Sequence, residues 1–170
     1  MFKYNGVYIA GGRYYSARKE SELHNSSIFS KFILELKSKN KTAIQIASEI
    51  LNNSLSSQEL KNYVIAVMPS HTAKNYGSLS EIAQNLCLPY LKNALIRVKT
   101  IEKLQNGGDR RGSVHLKTIE PFKVNNKKII LIDDITTSGN SLKIGESLLY
   151  KAGALSVIPV SIGYARQFKI

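Results

Sequence analysis

The sequence has few cysteines, few acidic residues and no long apolar run. The first and the last of these shortages each exclude a class of protein. The single cysteine, Cys87, excludes a disulfide framework and a cysteine zinc site. No apolar run approaches the roughly 18 residues that a membrane-spanning helix needs, so we expect no membrane partner. The amino-terminal residues lack the layout of a signal peptide, and we therefore expect a cytoplasmic protein.

Acidic residues are outnumbered two to one. The chain has 24 Lys and Arg against 12 Asp and Glu, which gives a formal net charge of +12. A field of this sign attracts anions such as phosphorylated small molecules, nucleic acid or acidic lipid headgroups, although a solvated basic surface is the simpler explanation for scattered lysines. With 170 residues, the chain is long enough for one domain with a buried core, and we expect a single domain over residues 1–170.

The apolar pattern predicts an α/β domain. Strands are predicted at residues 63–69, 93–99, 127–133 and 155–165, and helices near residues 26–40, 42–51, 78–86 and 140–152. From residue 63 onward the predicted order is strand, helix, strand, loop, strand, helix, strand, which is typical of a mostly parallel central sheet flanked by helices. Thr42 is the predicted cap of the second helix, and Ser78 with Glu81 has the spacing of a capping box. Cys87 is predicted to be a small core residue.

The amino-terminal residues are rich in tyrosine and carry a glycine pair. The stretch "YNGVYIAGGRYYSA" has strand-like residues on both sides of Gly11–Gly12, and we interpret it as a β-hairpin that turns there. Aromatic residues among basic ones can stack nucleic-acid bases, but tyrosine in strands more often contributes to packing.

The stretch "IILIDDITTSGNS", residues 129–141, carries the most specific chemistry. It predicts a buried strand that ends at Asp133 and Asp134, then a loop with hydroxyl groups and a glycine, then a helix that begins near Asn140 or Ser141. Ligands of open α/β sheets bind beyond the carboxyl ends of the strands. Backbone N–H groups at such a loop and helix start suit a phosphate, and the two acids suit sugar hydroxyls or a magnesium ion.

A simpler explanation of this stretch is an acidic strand end followed by a capped helix. Ser and Thr are common caps, and Asp at a strand end is ordinary. That explanation accounts for two or three of the residues but poorly for the order of all thirteen. The stretch therefore favours a sugar-phosphate site.

The same stretch resembles the phosphoribosyl-pyrophosphate (PRPP) signature of the type I phosphoribosyltransferases. "VIAVMPSHTAKNYGSLSEIAQNL" resembles the strand, loop and helix that carry the pyrophosphate loop of that family, and "LIRVKTIEKLQNGGDRRGSVH" resembles its basic flexible loop. "SIFSKFILELKSKNKTAIQIASEIL" resembles the amino-terminal helical region of the competence protein F (ComF) branch. The resemblance covers most of residues 25–165 and is strongest at residues 129–141.

The resemblance implies a type I phosphoribosyltransferase-like fold, with residues 1–24 as a hood over the acceptor. It implies that Asp133 and Asp134 hold the ribose hydroxyls, directly or through Mg²⁺, and that Arg110 and Arg111 act in catalysis from the flexible loop. The implied ligand-binding residues follow the sheet ends and the loop: Ser70, His71, Lys74, Arg97 and Lys99 near the pyrophosphate, and Thr136, Thr137, Ser138, Gly139, Asn140 and Ser141 around the 5-phosphate.

Two departures from the ComF branch bear on function. That branch often has an amino-terminal cysteine zinc module, which this chain lacks, and it tends to be arginine-rich just after the proline of the pyrophosphate loop. Here that loop is "PSHTAKNYG", in which Lys74 is the basic residue. Departing pyrophosphate needs cationic donors or metal, so the thin charge weakens the case for catalysis more than the case for binding.

Two functions of different class follow from these observations. The first is an enzyme that binds PRPP with Mg²⁺ and transfers the phosphoribosyl group to a nitrogen acceptor, with release of pyrophosphate. The second is a non-catalytic module that binds PRPP, a nucleotide or single-stranded DNA. The partners to consider are PRPP or a related ribose 5-phosphate or nucleotide, single-stranded nucleic acid, and a second copy of the chain in a homodimer. The sugar-phosphate motif favours the enzyme.

Overall fold

The computed structural model describes residues 1–101 and 117–165, and these residues form an α/β fold. The strands within these ranges are β1 (Phe2–Tyr4), β2 (Val7–Ile9), β3 (Arg13–Tyr14), β4 (Tyr63–Val67), β5 (Leu95–Arg97), β6 (Ile119–Pro121), β7 (Lys128–Thr136) and β8 (Ser156–Ala165). The α-helices are α1 (Ser21–Ser26), α2 (Ile28–Lys37), α3 (Lys41–Ser54), α4 (Leu79–Gln84) and α5 (Asn140–Lys151), with a short 3-10 helix at Gln58–Leu60.

The central sheet is mostly parallel, as the sequence predicts. Its strand order is β1-β2-β8-β7-β4, and β3 also pairs with β8. β7 runs parallel to both β4 and β8, β2 and β3 run parallel to β8, and β1 is antiparallel to β2. The pairs Val67–Ile132 and Asp133–Ser161 set the register, so the strands β4, β7 and β8 have their carboxyl ends at one edge.

Helices cover both faces of this sheet. On one face, α2, α3 and α4 pack on Ile130 and Ile132 of β7, and on the other face α5 packs on Ile129 and Leu131. The side chains of these four residues of β7 are at most 1% exposed. A strand that is buried on both faces has a continuous apolar run, and this run predicts β7 from the sequence.

The helix starts differ in detail from the predicted caps. Asn40, and not Thr42, caps α3, because its side-chain oxygen accepts a hydrogen bond from the Ala43 N–H at 3.1 Å. The Ser78 hydroxyl donates to the carbonyl of Leu36 and makes no capping bond to α4. Ser78 therefore ties the start of α4 to the end of α2.

The amino-terminal hairpin turns at Asn5–Gly6, so the predicted turn at Gly11–Gly12 is wrong. Asn5 and Gly6 have φ values of 49° and 85°, the positive values that Asn-Gly turns between two strands adopt. Gly11 instead passes close to β8, where its N–H donates to the Ile162 carbonyl at 2.8 Å. A Cβ on Gly11 would lie 2.6 Å from that oxygen, so this glycine permits a close approach of two chain segments.

Two further expectations are corrected outside the central sheet. β5 does not join that sheet but pairs with β6, which the sequence did not predict, in an antiparallel ribbon. Cys87 is exposed and not a core residue. It follows the end of α4, and its backbone N–H donates to the Asn52 side chain at 2.9 Å. Among the described helices, none is long and apolar enough to cross a membrane.

Candidate functional site

The carboxyl edge of the central sheet brings together two segments that lie sixty residues apart in the chain. Residues 70–74 follow β4, and Asp133 and Asp134 lie near the end of β7. Because Val67 pairs with Ile132, the chain beyond β4 begins beside the acid pair. The structure therefore gathers at one edge the predicted pyrophosphate loop, the acids and the predicted phosphate loop.

The acid pair is partly buried and internally hydrogen-bonded. Asp133 Oδ1 accepts from the Asp134 N–H at 2.9 Å, and Asp134 Oδ1 accepts from the Ile135 N–H at 2.6 Å. Burial, and then the charge of Asp134, raise the pKa of Asp133 to about 8. Asp133 therefore keeps a proton at neutral pH.

Lys37 belongs to this site, although the sequence analysis missed it. Its Nζ lies 3.7 Å from Asp134 Oδ2 and 5.6 Å from the centre of the Tyr14 ring. Lys37 is the last residue of α2, almost a hundred residues before the acids. Only the packing of α2 against the sheet brings them together, so no local pattern indicates this contact.

The loop between β7 and α5 is shorter than predicted, because β7 continues to Thr136. Thr136 is buried, whereas Thr137 is exposed and Ser138 is half-buried. The Ser138 hydroxyl accepts a hydrogen bond from the Asn140 N–H at 3.4 Å. Asn140 and the half-buried Ser141 open α5, whose first N–H groups have no partner within the helix. These groups could receive a phosphate.

Gly139 shapes this loop. Its φ is 80°, and a Cβ there would lie 2.9 Å from the Asn5 carbonyl oxygen. The Asn5 side chain also donates from Nδ2 to the Thr137 carbonyl at 3.1 Å. The turn of the amino-terminal hairpin therefore packs directly on the predicted phosphate loop.

The loop after β4 is folded on itself. The Ser70 N–H donates to the Asn75 carbonyl at 2.8 Å, and the Ser70 hydroxyl accepts from the Thr72 N–H at 3.2 Å. His71 Nε2 lies 3.3 Å from the Thr72 hydroxyl. Lys74 adopts a φ of 54°, and its side chain is exposed. The basic residue of this loop therefore faces solvent at the edge.

The same loop is bonded to the segment that follows β5. The Lys74 N–H donates to the Arg97 carbonyl at 2.9 Å, and the Ile101 N–H donates to the His71 carbonyl, also at 2.9 Å. The Ala73 N–H donates to the Thr100 hydroxyl at 3.0 Å. Three hydrogen bonds from backbone N–H groups thus join these two segments.

Arg97 lies beneath this loop and is 1% exposed. Its Nε donates to the Ser70 carbonyl, and one terminal nitrogen donates to the Thr118 hydroxyl at 2.6 Å. Burial lowers the pKa of Arg97, while the charge of Asp133 acts in the opposite direction. A guanidinium engaged in this way supports the loop from inside, which differs from the ligand contact that the resemblance implies.

The remaining predicted residues divide between the exposed surface and the undescribed part of the chain. Lys99 is exposed beside the loop after β4. Arg110 and Arg111 lie outside the described residues.

The carboxylates of Asp133 and Asp134 suit Mg²⁺ only if a bound ligand supplies further oxygen atoms. Within residues 1–101 and 117–165, no group of three or more His, Cys, Asp and Glu side chains could hold a metal ion. Mg²⁺ in phosphate-binding proteins commonly uses one or two carboxylates and takes its other oxygens from water and substrate phosphates. Asp133 and Asp134 fit that pattern.

A cavity of about 310 Å³ lies elsewhere, lined among others by Leu55, Lys61 and Cys87. Its lining includes none of the predicted site residues, so the candidate site is assigned by its chemistry. No protein-family model and no curated protein sequence matches the chain. The functional argument therefore depends on the residues at the carboxyl edge.

Proposed function

We propose that this protein is a type I phosphoribosyltransferase-like protein that binds PRPP at the carboxyl edge of its sheet. One observation carries the proposal. The acid pair, the glycine loop that enters α5 and the loop after β4 meet at the edge where parallel α/β sheets bind their ligands. The reaction that this arrangement supports is transfer of the phosphoribosyl group to a nitrogen acceptor.

The acids are suited to the hydroxyls of a ribose. At neutral pH, Asp133 keeps a proton, since its pKa is raised to about 8. Such a pair has both a donor and several acceptors for a diol. Asp133 and Asp134 are adjacent in the chain and hydrogen-bonded through the backbone, so their spacing is fixed before any ligand arrives.

The loop after β7 is suited to the 5-phosphate. Thr137 and Ser138 provide hydroxyl groups, and the first turn of α5 provides N–H groups and the positive end of a helix dipole. Gly139 allows the backbone to turn into the helix with positive φ. The acids and the loop are separated by only a few residues of the chain, so both lie at the same end of β7.

In the proposed reaction, a nitrogen nucleophile attacks the anomeric carbon of PRPP as the bond to pyrophosphate breaks. The electron pair of that bond leaves with pyrophosphate, and a proton of the nucleophile goes to solvent or a base. The protein's part is to hold the ribose and phosphate in position and to exclude water. No covalent nucleophile on the chain is required. Mg²⁺, when bound, would neutralise charge on the pyrophosphate, with Asp133 and Asp134 as its protein ligands.

A non-catalytic PRPP- or nucleotide-binding module is the second candidate, and one observation favours it. Arg97, the arginine at the base of the proposed pyrophosphate site, already donates to Ser70 and Thr118. Lys74 is then the cation that the loop after β4 itself offers. Weak cationic support for a departing pyrophosphate would reduce turnover without preventing binding.

Isothermal titration with PRPP and with ribose 5-phosphate, each with and without Mg²⁺, tests the proposal. We expect both ligands to bind, and we expect Asp133→Asn with Asp134→Asn to abolish binding while the fold is retained, since adjacent acids repel each other. Glu49→Gln with Glu59→Gln is the matched control, because it replaces two carboxyl groups by amides at exposed positions. If neither ligand gives heat or thermal stabilisation at millimolar concentration, the proposal is wrong.

Pyrophosphate release separates the two candidates. An enzyme should release pyrophosphate from PRPP in the presence of one of a panel of purine, pyrimidine and amine acceptors. A binding module should bind PRPP as tightly but release no pyrophosphate with any of them.

A further inference from the structure

Lys37 is the feature at the carboxyl edge that neither the motif nor its resemblance explains. Its ammonium lies 3.7 Å from the Asp134 carboxylate, with the two side chains 48% and 32% exposed. The Lys37 ammonium also lies 5.6 Å from the Tyr14 ring centre, on the electron-rich face that attracts cations. Two separate interactions therefore favour an ammonium at this place.

The position of Lys37 follows from the fold. α2 ends at Lys37, and a cation in the last turn of a helix is favoured by the helix dipole. Leu36, the preceding residue, is 1% exposed in the core, and its carbonyl accepts from the Ser78 hydroxyl. The packing of Leu36 and its hydrogen bond from Ser78 thus fix the position of the end of α2. The Lys37 side chain therefore lies within reach of Asp134.

We propose that Lys37 is a resident counter-charge of the acid pair, which competes with a divalent cation for Asp134. The inference deepens the proposed function, and it rests on that function only in treating the acid pair as the ligand-binding part of the site. A cation entering the pair must displace the ammonium or approach it closely. Lys37 therefore keeps the ligand-free pair from binding metal tightly, so that a divalent cation binds there only when a phosphorylated ligand supplies further oxygen atoms.

Metal binding to the ligand-free protein tests this directly. We expect Lys37→Gln to bind Mn²⁺ about ten-fold more tightly than the wild type at low salt, the order of effect for removing one positive charge about 4 Å from the site in a largely aqueous setting. Lys37→Arg keeps the charge and should behave as the wild type does. Mn²⁺ affinity can be followed by electron paramagnetic resonance of the free ion.

Two controls make the result specific to Asp134. Lys31→Gln removes an exposed lysine from the same helix, six residues earlier, and should leave Mn²⁺ affinity unchanged. Adding Asp134→Asn to Lys37→Gln should abolish the gain. Circular dichroism of each variant establishes that the fold is retained.

Equal Mn²⁺ affinity of the wild type and Lys37→Gln, including no binding by either at millimolar Mn²⁺, overturns the proposal. So does a gain of the same size in Lys31→Gln, because the effect would then come from net charge alone. A second arm uses ribose 5-phosphate with EDTA. The wild type should bind it, and Lys37→Gln should bind it several-fold more weakly. If ribose 5-phosphate fails to bind while the Mn²⁺ result holds, the proposed function falls and the role of Lys37 stands.

Discussion

Replacing Asp133 by Asn should make the protein more stable at alkaline pH, and the sign follows from the acid pair. In the folded protein the pKa of Asp133 is raised to about 8, first by burial and then by the charge of Asp134. In the unfolded chain it returns to about 3.9. Between these values the folded state binds a proton that the unfolded state lacks, so the stability that Asp133 provides is complete below pH 4 and is lost as the pH rises to 8.

The size of the effect has an upper limit. One proton changes the free energy of unfolding by at most about 1.4 kcal/mol per pH unit. Because Asp133 is only partly buried and water reaches it, we expect a smaller total, about 2 kcal/mol between pH 5 and pH 8. For a chain of 170 residues, this corresponds to a change of roughly 4–8 °C in Tm.

The assay is thermal and urea unfolding of the wild type and Asp133→Asn from pH 5 to pH 9, in buffer with EDTA. Asn has nearly the same shape and does not titrate, so the difference in Tm between the two proteins isolates this one group. We expect the Tm of Asp133→Asn to rise steadily relative to that of the wild type up to pH 8. Above pH 8 the difference in Tm should stay constant.

Two variants of neighbouring residues should shift, in opposite directions, the pH range over which stability is lost. Asp134→Asn removes a negative charge that raises the pKa of Asp133, so the loss of stability should end at lower pH and be smaller in total. Lys37→Gln removes a positive charge that lowers the pKa of Asp133, so the loss should extend to higher pH and be larger in total. If wild type and Asp133→Asn differ by the same amount at every pH, Asp133 is ionised throughout and our description of the pair is wrong.

Other residues of the site give further expectations. Gly139→Val should lower stability by about 2 kcal/mol and abolish binding of ribose 5-phosphate, because φ is 80° and the new Cβ would meet the Asn5 carbonyl; urea unfolding and titration measure the two effects, and unchanged affinity would remove this loop from the site. Arg97→Met should cost about 3 kcal/mol, since it removes the donor to the partly buried Ser70 carbonyl and to the buried Thr118 hydroxyl; a loss below 0.5 kcal/mol would mean that the guanidinium does not support the loop. From the resemblance alone, Arg110→Ala with Arg111→Ala should lower turnover about 100-fold per lost donor with little change in PRPP affinity; weaker single-stranded DNA binding with a flatter salt dependence would instead indicate a nucleic-acid contact.

The parts of the fold that the sequence predicted well are those set by local pattern. β7 and α5 are both readable because a two-sided apolar strand is followed by a polar loop and an amphipathic helix. Gly153 also stands at the predicted helix end, with a φ of 98°. In each case, neighbours in sequence decide the structure.

The parts that were missed depend on distant residues. The strand β6 is only three residues long and exists because it pairs with β5. The turn of the hairpin was predicted at the wrong residues, because a Gly-Gly pair is typical of turns. In the structure, Gly11 instead permits a close approach to β8. For the site, the acids and loop were predictable as one continuous stretch. Lys37 and the buried role of Arg97 were not, since each depends on packing between segments far apart in the chain.

The pairing of β2 and β3 with β8 has a consequence for folding during synthesis. β2 leaves the ribosome early, yet its parallel partner in the sheet is made about 150 residues later, with Tyr8 opposite Val160. Contacts between such distant residues form slowly, because a long loop must close first. Until β8 has been made, the amino-terminal strands have no place in the sheet, and the turn at Asn5 cannot yet brace the loop at Gly139. The candidate site is therefore completed among the last steps of folding.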